Sequence, residues 1–392
     1  MNRDLLLVAV SLFTWGVGEG MFYIYQPLLL QEWGASPVQI GVILGAVGVA
    51  MAFVQIPAGY VADRVGPHYV MKASWVQGLI AAAVMAFSKS LPMFVIGLLL
   101  YGMTTYVAPP MNTYIGRARG KMPLGRALAI NSASYNAGAI IGPLLGGILA
   151  SRIGLLPILR VAAGIFLLSS SVILFIRAHP AETGADHHLA GGSLLKNYRF
   201  LAFLPLMFLT LLASYLPQTL TSNYLQNQGG LSLETIGRLS SIGNLSNVLL
   251  MLGGSLFPAR YSLLVGQVLV GLFALLLWRG SGAGWYTLAF AFLGGYRLLR
   301  VMITTLARPL ISAAKAGLAY GLIETVNAST VILAPVIAGL LYEREPAWMY
   351  IAAVILTAAA VLVNLIILPR LQPAPAASDS ILITPEQEFP SP

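Results

Sequence analysis

The 392-residue chain is predicted to be an all-α membrane protein with twelve transmembrane helices in two pseudo-symmetric six-helix bundles. Three observations point there. Hydrophobic residues make up 58% and charged residues 9%, against about 25% charged in a soluble domain, so most of the surface must meet lipid. Apolar runs near the ~20 residues needed to cross a bilayer core recur along the whole chain. Stretches of the first half also reappear, in order, in the second.

The first-half runs cover 5–30, 38–60, 70–88, 91–116, 127–150 and 157–177. Those of the second half cover 200–224, 236–257, 262–279, 285–308, 317–341 and 347–368. Run 1 is too long for a signal-peptide core and has no small-residue cleavage site, so it reads as a retained helix. Run 5 carries Gly142-Pro-Leu-Leu-Gly-Gly-Ile-Leu-Ala, and run 11 carries Ala334-Pro-Val-Ile-Ala-Gly-Leu-Leu-Tyr, 192 positions later. At the same offset Tyr23 and Gln26 fall on Tyr215 and Gln218. The entry Ser36-Pro-Val-Gln-Ile-Gly matches Ser232-Leu-Glu-Thr-Ile-Gly at an offset of 196. A six-helix repeat suits two bundles that rock against each other. The expected division is an N-terminal bundle over 1–177, a polar cytoplasmic linker over 178–199, a C-terminal bundle over 200–369 and a disordered cytoplasmic tail over 370–392.

Charge sets the expected orientation. With the N-terminus in the cytoplasm, 14 Lys and Arg fall in cytoplasmic segments and 6 in outer ones, which places both termini inside. Trp33, Trp278, Trp285 and Trp348 then mark the outer interface. The net charge of +9 sits in short loops between apolar runs, so it reports topology rather than nucleic-acid binding. With no cysteine there are no disulfides, thiolate metal sites or Cys nucleophiles.

The loop after run 2 reads Gly59-Tyr-Val-Ala-Asp63-Arg64-Val-Gly66. It resembles the Gly-x-x-x-Asp-Arg-x-Gly loop of the major facilitator superfamily. Gly59 permits close helix packing and Gly66 a tight turn. The resemblance implies that this loop latches the cytoplasmic gate, with Arg117, Arg119 and Arg126 as candidate partners of Asp63. The sequence departs from the family pattern at Pro67 and His68, and the cognate loop Gly254-Ser-Leu-Phe-Pro-Ala-Arg260 lacks the Asp, so the latch is expected to be one-sided. Gly138-x-x-x-Gly142-Pro143-x-x-Gly146-Gly147 resembles the family's helix-5 motif. Small residues let helices approach closely in lipid, and Pro143 bends the helix. The motif's association with antiporters favours export. The mid-helix-4 Arg of many proton-coupled drug exporters is absent from Leu98–Pro110.

A charge at the bilayer centre costs at least ~2.5 kcal/mol, and such residues are functional by default. Glu19, Arg297, Arg300 and Glu324 fall inside predicted helices. Arg300 and Glu324 lie at similar depth and are expected to pair. Glu19 is expected to couple protons or bind a substrate cation, with Arg297 tuning it across the cavity. In the family, helices 1, 4, 7 and 10 line that cavity. Candidate substrate contacts are Tyr23, Gln26, Tyr101, Thr105, Tyr106, Asn131, Tyr135, Asn136, Tyr215 and Gln218.

No cofactor or metal is expected: His187 and His188 beside Asp186 form one pair in a polar linker, with poor coordination geometry. No phosphate-cradling loop supports ATP-driven pumping, and none of the four His falls within a predicted apolar run, which weighs against a membrane-embedded enzyme. The expected function is secondary active transport of a small molecule by alternating access, as proton-coupled efflux from the cell membrane. The alternative is a uniporter or proton symporter importing a sugar or organic anion. The partners are then a small-molecule substrate, protons and membrane lipid, not nucleic acid, and the chain is expected to be a monomer.

Overall fold

The structure, a computed structural model, describes residues 2–179, 197–254, 256–311 and 316–371, without the side chains of Ile56, Gly59, Asp63, Ala316 and Gly317. Twelve rods follow one another: α1 (Arg3–Tyr23, prolonged by Gln26–Glu32), α2 (Pro37–Val65), α3 (Pro67–Ala86), α4 (Leu91–Ala118), α5 (Leu124–Ile153) and α6 (Leu155–Leu174). Then come α7 (Tyr198–Asn227), α8 (Leu233–Gly254), α9 (Ala259–Arg279), α10 (Ala283–Leu310), α11 (Ala316–Arg344) and α12 (Trp348–Leu371). Most of the expected linker, including His187 and His188, and the tail from 372 lie outside the described residues. His68, expected in a loop, occupies the first turn of α3.

Among the described residues, eleven helices are long and apolar enough to span a membrane by themselves. The remaining rod, α8, is 22 residues long but carries Ser240, Ser241, Asn244, Ser246 and Asn247. That polarity has a packing reason. Ser240, Gly243, Ser246 and Asn247 are buried, and α8 lies between α5 and α10, where small residues permit close approach.

Local signals set the ends. Ser36 and Gln39 form a reciprocal cap at the start of α2, with Pro37 in the first turn. At the repeat-related entry to α8, the Ser232 hydroxyl accepts from the Thr235 amide at 3.2 Å. Gly66, at φ 92°, ends α2 in a conformation that side chains resist.

Helices pack mainly within their own half: α1 on α5 and α6, α3 on α4 and α6, α7 on α11 and α12, α9 on α10 and α12. The two bundles meet along α2–α11 and α5–α8. Four rods are interrupted: α1 at Ile24 and Tyr25, α4 by a 3-10 turn at Thr104–Val107, α7 by one at Leu216–Gln218, and α10 at Gly294. These are the helices expected to line the cavity. An interrupted helix frees backbone groups, which a membrane protein tolerates only where protein or water can satisfy them.

Candidate functional site

The chemistry-bearing residues collect at these interruptions. Glu19 lies five residues before the break in α1, and Tyr101 three before the turn in α4. Tyr215 directly precedes the turn in α7, and Arg297 follows the break in α10 by three. On the N-terminal side, Glu19 is half-buried and its carboxylate accepts a hydrogen bond from the Tyr135 hydroxyl at 2.9 Å. Behind it stands an aromatic wall. Trp15 stacks on Tyr101 with centroids 6.1 Å apart and meets Phe166 edge-on at 4.7 Å and Trp75 at 5.1 Å. Phe22 meets Tyr101 edge-on at 5.1 Å. The Trp75 indole donates to the Ser169 hydroxyl at 3.0 Å, which anchors the wall to α6.

The C-terminal side is built from charge. Arg300 pairs with Glu324 at 3.2 Å, and both side chains are about half-exposed (53% and 52%). The Asn327 amide reaches the same carboxylate at 3.4 Å, and the Tyr215 hydroxyl donates to Asn327 Oδ1 at 3.4 Å. Arg297 makes no ion pair among the described residues. Its Nε donates to the Tyr296 hydroxyl at 2.9 Å, and Tyr296 meets Tyr215 edge-on at 6.2 Å. Glu19 and Arg297 lie within electrostatic reach of each other, and Tyr23 within reach of Glu19, Arg297, Tyr215 and Tyr296. Tyr23 is 60% exposed, so its phenol is open to whatever enters.

Of the ten residues read as substrate contacts, Tyr23, Tyr101, Tyr135 and Tyr215 converge on this centre. The others are held locally. The Asn131 amide donates to Ala127 O, that of Asn136 to Ser132 O, that of Gln218 to Ser214 O, and the Thr105 hydroxyl to Gly102 O. The Tyr106 hydroxyl donates to Gln77 on α3 at 3.1 Å. Gln26 is buried beside the α1 break. Sequence reasoning missed Trp15, Phe22, Phe166, Tyr296 and Asn327. Of these only Tyr296, adjacent to Arg297 on a predicted cavity helix, left a signal.

The expected cytoplasmic-gate residues do not form a described network. Arg64 sits 4.2 Å over the Tyr60 ring, and Arg119 Nε donates to Gly116 O at 3.1 Å. Arg117 and Arg126 make no described ion pair, and the Asp63 side chain and Gly59 lie outside what is described.

The opposite end is closed. A methyl group at Gly41 would strike the Pro335 carbonyl oxygen, and one at Gly237 the Pro143 carbonyl oxygen. Both seams therefore need backbone-to-backbone contact. The helix-5 motif forms the junction: Gly138, Gly142 and Gly146 lie against the backbone of α1, and Gly147 against Leu233 of α8. The Tyr25 hydroxyl, 2.9 Å from Leu233 O and 3.3 Å from Pro143 O, shares its proton between the bundles. The Asn244 amide donates to Ala139 O at 2.7 Å. Across the tips of α1 and α7, Gln31 Oε1 accepts from Asn223 at 2.6 Å and from Asn227 at 2.9 Å. None of these seam residues was singled out from sequence as a gate.

Twelve rods in two six-helix bundles, closed at one end around a polar centre at broken helices, define a multi-pass membrane transporter. The family model described as Major Facilitator Superfamily matches residues 7–294. The chain belongs to the major facilitator superfamily. It is 23% identical over 360 residues to multidrug resistance protein 1 of Bacillus subtilis, covering 88% of this chain and 91% of that one. It is 26% identical over 156 residues, 40% of each chain, to an uncharacterized MFS-type transporter of Methanocaldococcus jannaschii. A crystal structure of the nucleoside transporter NupG superposes with a TM-score of 0.79 at 15% identity, over 94% of this chain and 100% of that one.

Proposed function

We propose that the chain is a secondary active transporter that exports a small molecule by alternating access in exchange for protons. The observation that carries this is Glu19. An intramembrane carboxylate, half-buried and accepting from the Tyr135 phenol within electrostatic reach of Arg297, is the chemistry a proton-coupled carrier needs. The name of the Bacillus subtilis relative supports export. With both termini in the cytoplasm, the closed end faces outward and the structure is the inward-facing state. Glu19 exchanges its proton as the bundles rock, Arg297 biases that exchange, and Asp63, Arg64 and the arginines 117, 119 and 126 form the latch of the opposite state.

A second reading, import of a sugar or organic anion by uniport or proton symport, draws on Arg297, whose side chain has no carboxylate partner among the described residues. Proteoliposomes with an imposed pH gradient separate the two, using cationic dyes, carboxylates, amino acids and sugars as candidate substrates. The expected outcome is proton-driven flux against a substrate gradient, lost in Glu19→Gln. Undiminished proton-driven flux in Glu19→Gln would overturn the role of this carboxyl.

A further inference from the structure

Far from the closed tips, the other end of the N-terminal bundle holds a buried acid that the transport reading does not use. Asp4 lies in the first turn of α1 and is 4% exposed. Its Oδ2 is 3.0 Å from Nε2 of His179, on the segment that leaves α6. Its Oδ1 is buried with no described hydrogen bond. The His179 ring meets the buried Tyr114 ring of α4 edge-on at 5.5 Å, and the Tyr114 hydroxyl donates to Arg177 O at 2.9 Å. The Asn2 side-chain amide donates to Ala118 O, at the end of α4, at 3.2 Å. The start of α1, the end of α4 and the exit from α6 are thus tied together.

The tie falls on a jointed helix. The 3-10 turn at Thr104–Val107 interrupts α4, and the part held is the half beyond it, Ala108–Ala118. A 3-10 stretch inside a helix is a common hinge. We propose that Asp4 and His179 form a pH-sensitive clasp that holds this half of α4 in its present place, and so slows closure of the cytoplasmic end when the cytoplasm is acidic. The physical reason is the cost of a buried charge. An imidazolium neutralises the Asp4 carboxylate. A neutral imidazole keeps one hydrogen bond but leaves a buried carboxylate without a cation, which favours its release to water. The clasp is therefore strongest with His179 protonated and weakens as pH rises through the imidazole range. No neighbouring cation replaces the imidazolium. His68 of α3 lies within electrostatic reach of His179, and Lys72 of α3 and Arg117 of α4 within reach of His68. Tyr114 lies within reach of Asp4, and Arg3 and Arg177 flank the pair in sequence. Among the described residues only His179 forms an ion pair with Asp4. The inference takes from the transport reading its orientation and its exchange: an exporter that admits protons acidifies the cytoplasm, and the clasp then restrains it.

The test uses full-length purified protein in detergent, with spin labels on cysteines replacing Lys121 and Leu174, in a chain with no other cysteine. Both positions are exposed, one just after α4 and one at the end of α6. The expected result is one short-range distance population at about pH 5 and a second, displaced population that grows toward about pH 8. The ratio of the two should change at least about fivefold, which corresponds to about 1 kcal/mol. His179→Gln and Asp4→Asn should each remove the pH response. His68→Gln and Glu19→Gln should keep it, and the melting temperature of each variant reports folding. In proteoliposomes the flux of His179→Gln relative to the unsubstituted protein should rise as pH falls. Distances that ignore pH in the unsubstituted protein, or an unchanged response in His179→Gln, overturn the inference. Proton-driven flux alongside either result leaves the transport reading standing while the clasp fails. A pH response that depends on His179 in a protein without flux supports the clasp while the transport reading fails.

Discussion

The two seams that join the bundles begin from the same contact and end differently. Gly41 of α2 meets the Pro335 carbonyl of α11, and Gly237 of α8 meets the Pro143 carbonyl of α5. The glycines are 196 positions apart and the prolines 192, the offsets of the internal repeat. A proline ring removes the backbone donor that would follow in the helix, and a glycine lets the opposing backbone come close. The α5–α8 seam then adds hydrogen bonds: Tyr25 reaches across from α1 and Asn244 donates to Ala139 O. The α2–α11 seam instead packs the Val336 side chain beside Gly45 and the Ile332 and Val331 side chains beside Gly48. The fold repeats its backbone contact and varies the side chains around it, so one seam is expected to slide and the other to latch.

Breaking the shared contact should have the largest effect. Gly237→Leu or Gly41→Leu forces a side chain into a backbone contact, and overpacking of this kind costs about 1–3 kcal/mol. Either variant should shift the protein away from the closed-end state by roughly ten- to a hundredfold. Labelling of a cysteine placed at Asn223, buried at the tip of α7 in a chain that has no other cysteine, should speed up accordingly. Unchanged labelling would show that the seams are not what closes this end.

The tip contacts come next. Asn223→Ala removes the donor to Gln31 Oε1 and to Pro27 O. Interhelical hydrogen bonds in membranes average about 0.6 kcal/mol, so loss of two should open the end by roughly tenfold at most, read by spin-label distances across the tips of α1 and α7. Tyr25→Phe should give the smallest change, about threefold for one shared bond. Its value lies in its direction: it should loosen α5–α8 and leave α2–α11 unaffected. Spin-label distances across each seam would check that, and equal loosening of both would remove the asymmetry.

The parts of this arrangement that could be read from sequence are those written in periodicity and repeats. Twelve apolar runs became twelve rods, and the matched entries at Ser36 and Ser232 became matched helix starts. Arg300 and Glu324, expected at one depth, are within bonding distance. The breaks were less legible. Pro217 and the Gly294-Gly295 pair sit beside interruptions, yet Pro57, Pro143, Pro205 and Pro335 lie inside continuous helices. A proline alone therefore does not tell a kink from a break. The wall behind Glu19 was invisible for a different reason. Trp15, Phe22 and Phe166 are apolar residues in apolar helices, and only packing separates a cavity wall from a core. The seam residues Gln31, Asn223 and Asn227 lie at helix tips, where polar side chains ordinarily meet water.

The most direct test of alternating access is to hold the closed end shut. Cysteines replacing Gln31 and Asn223, whose side chains now touch, can be joined by an oxidant in a chain without other thiols. Transport in proteoliposomes should stop when the bond forms and return when it is reduced, with each single-cysteine variant indifferent to oxidant. Transport that continues undiminished with the tips of α1 and α7 covalently joined would contradict the mechanism.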